Sequence, residues 1–378
     1  VFTVPGLEDV MGGRVAISSI RPVEIEDLLG REPVWIDTRH VAAMVATKTV
    51  LVTGAGGSIG SELCRQLARF KPARLVLFEQ SEFALYTLEQ WFSVHAPDLA
   101  LVALAGDVKD PERLNEVFAA FQPQVVFHAA AYKHVPLMEV ANAWQAVRNN
   151  VLGTLLVAEC ASGFAAERFV LISTDKAVNP TNVMGATKRL AEMVCEALHQ
   201  QGGVTQFEMV RFGNVLGSTG SVIPKFQEQI ARGGPVTVTH KEITRYFMSI
   251  PESAQLVLQA AAMGQGGEIF VLDMGAPVRI ADLARKMIHL SGYSESEIRI
   301  EFTGLRPGEK LYEELLADAE HTRQTPHPKL RIAQGRAVEE GFLEALRPWL
   351  AQPCRSDAEV RAALMRRVPE YRPASHDD

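Results

Sequence analysis

The chain has 378 residues, room for about two domains at ~100–200 residues each. Its 47% hydrophobic and 22% charged residues are an ordinary globular mix and exclude a disordered chain. Forty-five acids against 38 bases leave a net charge of −7 without any long like-charge block, which argues against a nucleic-acid groove or a polybasic membrane patch.

Residues 1–47 read as a leader punctuated by Pro5, Gly6, Gly12 and Gly13, with a short helix expected over 22–30. There is no signal-peptide pattern, and no run approaches the ~18–20 apolar residues of a membrane helix. The first residue is Val1. The expectation is a cytoplasmic segment, a fragment or processed chain whose missing part carries an anchor. That its full-length form is an inner-membrane protein is what the resemblance given below implies. Cys64, Cys160, Cys195 and Cys354 lie far apart without metal-ligand spacing, so reduced thiols and no metal are expected.

From residue 50 the pattern alternates. Strands are expected at 50–52, 74–78, 99–104, 125–127 and 168–172, and helices at 61–70, 81–95, 111–121 and 141–161. Strands that read as continuous apolar runs are buried on both faces, and βαβ repetition implies a Rossmann-type, doubly wound parallel α/β sheet. Beyond Arg211 glycine and proline become denser and the repetition breaks, which places a smaller lobe there. The tail over 338–368 reads as two short helices split by Pro353.

The first strand runs into Thr53-Gly54-Ala55-Gly56-Gly57-Ser58-Ile59-Gly60, and a helix follows. Glycines there let backbone approach a pyrophosphate, and the helix N-terminus offers unpaired N–H groups. Glu79, at the end of the second strand, suits a ribose 2′-hydroxyl and repels a 2′-phosphate, which favours NAD over NADP. Asp107, in Gly106-Asp107-Val108, reads as an adenine contact or as a plain turn aspartate. The expected division is a leader over 1–47, an NAD-binding domain over 48–212 with a return strand near 268–273, a substrate lobe over 213–335 and a helical tail over 336–378.

The spacing of Gly54, Gly57 and Gly60 resembles the extended short-chain dehydrogenase/reductase superfamily. That resemblance implies further cofactor contacts from Ser58, Ile59, Val108, Ala129, Ala130, Asn150 and Lys188. The superfamily normally carries Tyr-x-x-x-Lys where this chain has Met184-Gly185-Ala186-Thr187-Lys188. Methionine cannot transfer a proton. Either the chain is a nucleotide-binding sensor without chemistry, or the proton work has moved to Thr174-Asp175-Lys176. Sugar-nucleotide 4,6-dehydratases carry Thr-Asp-Glu at this place, with Asp as acid and Glu as base.

Residues 50–66, 128–139, 173–188, 211–217, 244–248 and 304–312 resemble UDP-N-acetylglucosamine 4,6-dehydratases of the large, membrane-anchored class of bacterial polysaccharide biosynthesis, in which Met replaces Tyr. The resemblance implies an NAD-dependent lyase converting UDP-N-acetylglucosamine to a UDP-4-keto-6-deoxy-N-acetylhexosamine, working as a homo-oligomer. Thr174, Asp175, Lys176, Met184, Lys188 and Lys133 would form the catalytic set, with Asp175 protonating the C6 hydroxyl and Lys176, its pKa lowered, taking the C5 proton. Asn214, Lys225, Thr237, Thr239, Arg245, Arg306 and Glu309, with Lys133, would hold the UDP-sugar; Arg211 and Lys310 are further cations in the same segments. A UDP-sugar 4-epimerase is the alternative within the enzymes, but epimerisation needs neither a C5 base nor a C6 acid.

Overall fold

Apolar runs that alternate with amphipathic helices produce one nine-stranded sheet. The computed structural model describes residues 34–316, 321–334 and 337–373, together with the antiparallel pairing of Phe2–Thr3 with Arg21–Pro22. Beyond Pro22, the helix expected over 22–30 lies outside the described residues. The strands of the large sheet are β1 (Thr49–Thr53), β2 (Arg74–Glu79), β3 (Leu101–Ala105), β4 (Val125–His128), β5 (Arg168–Ile172), β6 (Gln206–Arg211), β7 (Ile269–Leu272), β8 (His321–Gln324) and β9 (Leu330–Gln334). Their order is β8-β9-β7-β6-β5-β4-β1-β2-β3. From β3 to β7 the sheet is parallel, and β9 and β8 add an antiparallel edge. Strand order reverses between β1 and β4, and the crevice beyond their carboxyl ends is where open α/β sheets bind ligands.

Helices cover both faces. The described helices used below are α1 (Thr38–Val45), α2 (Ser58–Ala68), α3 (Glu82–His95), α4 (Pro111–Phe121), α5 (Ala143–Val147), α6 (Gly153–Gly163), α7 (Val183–Gln200), α8 (Val222–Ala231), α9 (Ile250–Met263), α10 (Ile280–Leu290), α11 (Phe342–Leu350) and α12 (Asp357–Arg367). One layer buries residues of α1, α2, α3 and α9 against the sheet, and the other buries α4 to α7 with α11 and α12. Local chemistry sets the ends. Asp110 accepts from the amides of Glu112 and Arg113 ahead of Pro111, and Gln122 closes α4 at a φ of 44°.

The single long helix expected over 141–161 is three pieces. Ala141 has a φ of 59°, which excludes it from a right-handed helix, and a π-helical turn over Arg148–Leu152 separates α5 from α6. The segment 213–335 is likewise not one lobe. Its α9 joins a helix layer of the large sheet, β7 is the return strand expected near 268–273, and β8 and β9, not expected in the sheet, extend it further. What remains is a small body built from α8, α10 and the parallel pair Val236–Val238 with Ile300–Phe302, around Phe226, Ile230, Leu283 and Ile288.

The tail is part of the main core. Leu343, Leu346, Trp349, Leu364 and Tyr371 are buried with residues of α4 to α7. Asp357 accepts from the amides of Ala141 and Ala143, and Arg361 donates to Glu139, which in turn accepts from the Val183 amide at the start of α7. Burial of Trp349 against Trp144, ring centroids 5.5 Å apart, adds an apolar anchor. The tail thus braces the helix that carries Met184 and Lys188.

Candidate active site

A cavity of about 1040 Å³ runs from the glycine-rich turn, across the carboxyl ends of the strands, into the small lobe. At its first end, backbone makes the surface. Gly54 has a φ of 64°, and a Cβ there would stand 2.7 Å from the backbone of Ala130, so the β1 and β4 loops cross at atomic contact. A Cβ on Gly60 would meet the Gly54 carbonyl at 2.1 Å. Helix α2 starts at Gly57 without a side-chain cap, which leaves its first amides facing the cavity beside Ser58 and Ile59.

Glu79 is buried at the end of β2 and lines the cavity, its carboxylate accepting from the amides of Gly56 and Ser81 at 3.0 and 2.9 Å. Gly106, Val108, Ala129 and Ala130 line the same end. Asp107 does not; it accepts from the Lys109 amide and pairs with the Lys109 ammonium at 2.8 Å. Asn150 is buried away from the cavity and exchanges two hydrogen bonds with the Tyr132 backbone. Its place on the π-turn makes it the brace of the 129–134 loop. Tyr132, Gln145 and Asn149 line the cavity and were missed, because no motif marks them.

The second group stands where β5 ends. The strand stops at Ile172, and residues 175–177 form a 3₁₀ turn, so neighbouring side chains are no longer sent to opposite faces. The Thr174 hydroxyl and the Lys176 ammonium both donate to Asp175 Oδ1, at 2.9 and 3.0 Å. Asp175 Oδ2 is buried without a partner. Burial pushes the Asp175 carboxyl up, opposed by the Lys176 charge.

Lys176 corrects an expectation. Burial alone would lower it, but Asp175 and Glu313 outweigh burial and hold its ammonium above the ordinary lysine range. Glu313 Oε1 is 3.6 Å from Lys176 Nζ, and Asn214 Oδ1 accepts from the same ammonium at 3.0 Å. A lysine kept neutral simply by desolvation is not what the fold builds. Asn214, expected to hold the UDP-sugar, lines the cavity and belongs to this cluster.

Met184 is buried in the first turn of α7 and lines the cavity. One turn on, Lys188 donates to the Ile172 carbonyl at 2.7 Å, and burial pushes it down to about 8 despite the nearby Glu192. Lys133 lines the cavity with its ammonium 3.4 Å from the Ser218 hydroxyl, and partial burial lowers its pKa. His128 is structural: it bonds Thr53 and Thr154, and burial pushes it down to about 3.

The small lobe supplies the other end. Lys225, Thr237, Thr239, Arg245, Arg306 and Glu309 all line the cavity. Thr237 also accepts from Gln229 at 2.8 Å, and Arg306 pairs with Glu309 at 3.5 Å. Two expected cations are spent elsewhere. Arg211 is fully buried in a fork on Glu192, and Lys310 donates to the Val178 carbonyl and Glu314. Glu313 was missed because the sequence does not show that its carboxylate folds back onto residue 176.

The family model described as polysaccharide biosynthesis protein matches residues 50–335. The chain belongs to that family. It is 54% identical over 331 residues to the capsular polysaccharide biosynthesis protein CapD of Staphylococcus aureus, covering 87% of this chain and 55% of that one. It therefore spans about half the length of the curated relatives it matches at this level. Two weaker matches carry different names. One is UDP-glucose 4-epimerase of Rickettsia rickettsii, at 35% identity over 73% of this chain and 80% of that one. The other is UDP-N-acetylglucosamine 4,6-dehydratase (inverting) of Campylobacter jejuni subsp. jejuni, at 32% over 72% and 79%. Among solved structures, that of Pen from Bacillus thuringiensis matches with a TM-score of 0.72 at 30% identity, covering 85% of this chain and 99% of that one.

Proposed function

We propose that the chain catalyses the NAD-dependent loss of water from UDP-N-acetylglucosamine, giving a UDP-4-keto-6-deoxy-N-acetylhexosamine. The observation that carries the reading is the Thr174-Asp175-Lys176 cluster near Met184: Thr174 and Lys176 line the cavity, Asp175 is buried behind them and bonded to both, and the usual tyrosine is absent. The glycine crossing, the open α2 start and the Glu79 carboxylate fit a dinucleotide, and Lys188 lies within the cavity to hold its ribose. When bound, NAD supplies the hydride carrier between the sugar C4 and C6.

The protein's own part is proton handling. Asp175 and Lys176 share one proton across 3.0 Å, and titrate as a unit. Moving that proton from Nζ to the carboxylate leaves a neutral amine to take the C5 proton and a carboxylic acid to protonate the departing C6 hydroxyl as water. Closure of the cavity around substrate favours the neutral pair, because burial penalises both charges. Thr174, which lines the cavity and donates to Asp175, connects that carboxyl to the sugar hydroxyls. Arg306 supplies charge for the diphosphate, and arginine's planar fork suits phosphate oxygens. Arg245 is held on the Thr244, Lys310 and Leu311 carbonyls and beside Glu309 and Glu313.

An epimerase is the competing reading, since a relative bears that name. Incubation with UDP-N-acetylglucosamine in heavy water separates the two. The dehydratase reading predicts a product lighter by one water that carries a solvent deuterium at C5. A product of unchanged mass with inverted C4 would overturn it.

A further inference from the structure

Lys176 stands where dehydratases with a Thr-Asp-Glu block have a carboxylate, and the carboxylate of a distant segment, Glu313, lies beside it. Glu313 is buried, lines the cavity and lies one residue past the Gly304–Tyr312 motif. Its Oε1 is 3.6 Å from Lys176 Nζ and 3.7 Å from Arg245 Nε. Arg245 reaches Glu309 at 3.4 Å, and Glu309 reaches Arg306 at 3.5 Å. Charges therefore alternate without a break from Asp175, through Lys176, Glu313, Arg245 and Glu309, to Arg306. In this series of charges, the Lys176–Glu313 contact joins the turn at the end of β5 to the segment that follows the Gly304–Tyr312 motif.

We propose that Glu313 is a positioning residue: it holds the Lys176 ammonium against Asp175 and ties it to the Arg245 guanidinium, so that the acid–base pair is completed by the small lobe. This deepens the reading above and rests on it for the chemistry, but not for the pairing. The groups facing Lys176 are Asp175 from its own turn, Asn214 from the following loop, Glu313, and Arg245 behind Glu313. Of these, Asp175 and Glu313 stabilise the charged amine and Arg245 opposes them. Removing the Glu313 charge leaves Arg245 unbalanced beside Lys176, and the neutral amine becomes more populated.

The test is the rate at which acetic anhydride labels Lys176 at pH 9 in the full chain with NAD, read by peptide mass spectrometry and normalised to the exposed Lys71. Glu313→Gln should raise the normalised rate at least fivefold, and Glu313→Asp, with a shorter but charged arm, about twofold. In turnover of the UDP-sugar, Glu313→Gln should lower kcat at least tenfold with KM held within threefold. An unchanged labelling rate in Glu313→Gln overturns the proposal; if that variant fails to fold, an unchanged rate in Glu313→Asp does so. If the wild type turns over no UDP-sugar, the functional reading falls while the labelling still decides the pairing.

Discussion

The two ends of the cavity are built on opposite plans. At the dinucleotide end, backbone makes most of the site: the glycine turn crossed by the Ala130 loop, an uncapped helix start and one carboxylate held by two amides. At the acid–base end, side chains from three separated segments meet, at residues 174–176, Asn214 and Glu313. A backbone site is insensitive to charge and fails by steric intrusion. A side-chain cluster fails by losing a proton or a partner.

The largest effect expected from that contrast is at Lys176. Lys176→Met should abolish water loss, at least a thousandfold in kcat, while the melting temperature and NAD affinity stay near wild type in calorimetry. Loss of NAD binding in this variant would show that the two ends are not separable. The complementary change is Gly60→Ala, whose Cβ would stand 2.1 Å from the Gly54 carbonyl. Forcing that contact apart costs about 1–3 kcal/mol in a packed site, so NAD affinity should fall at least tenfold by calorimetry with the acid–base cluster intact. Normal affinity would mean the turn relaxes freely.

A smaller effect sits on Glu79. Its buried carboxylate leaves no partner for a 2′-phosphate, so NAD should bind at least tenfold more tightly than NADP, and Glu79→Gln should narrow that ratio. Equal affinities in the wild type would remove Glu79 from the account.

Lys188 gives the smallest effect, one of stability. Its pKa is about 8 in the fold against 10.5 for the free side chain. Between those values the unfolded chain holds a proton that the folded chain lacks, so this group's contribution to stability rises with pH across that window. Below pH 8 the fold carries the full cost of a buried charge, ~3 kcal/mol at 1.36 kcal/mol per unit, partly offset by the bond to Ile172. Lys188→Met should therefore stabilise the fold at pH 7 by about 1–2 kcal/mol, and less at pH 10. Denaturant melts at the two pH values check this, and a variant less stable at pH 7 would contradict it.

The same contrast explains what could be read from sequence. The strands at 74–79 and 168–172, the helix at 111–121 and the glycine turn carry local signals, namely apolar runs, an Asp-Pro start and Gly spacing. The π-turn at 148–152 carries none, because its alanine- and leucine-rich surroundings suit an α-helix equally well. The split of 213–335 between sheet and lobe was hidden too, since strands of four or five residues at a sheet edge look like lobe strands. Asp175 and Lys176 were visible as neighbours, but the lysine's upward shift comes from the Asp175 and Glu313 carboxylates together, and Glu313 is brought there only by tertiary packing. Arg211 looked available for phosphate; its partner Glu192, a turn past Lys188, claims it.

One measurement reaches the central claim, that this cavity moves hydride and protons within a single sugar. UDP-N-acetylglucosamine carrying deuterium at C4 is turned over with catalytic NAD in ordinary water, and the product is resolved by NMR. The account predicts deuterium at C6 of the same molecule, a ketone at C4 and ordinary hydrogen at C5. Deuterium still at C4 in an isomerised sugar, or lost to solvent, would contradict it.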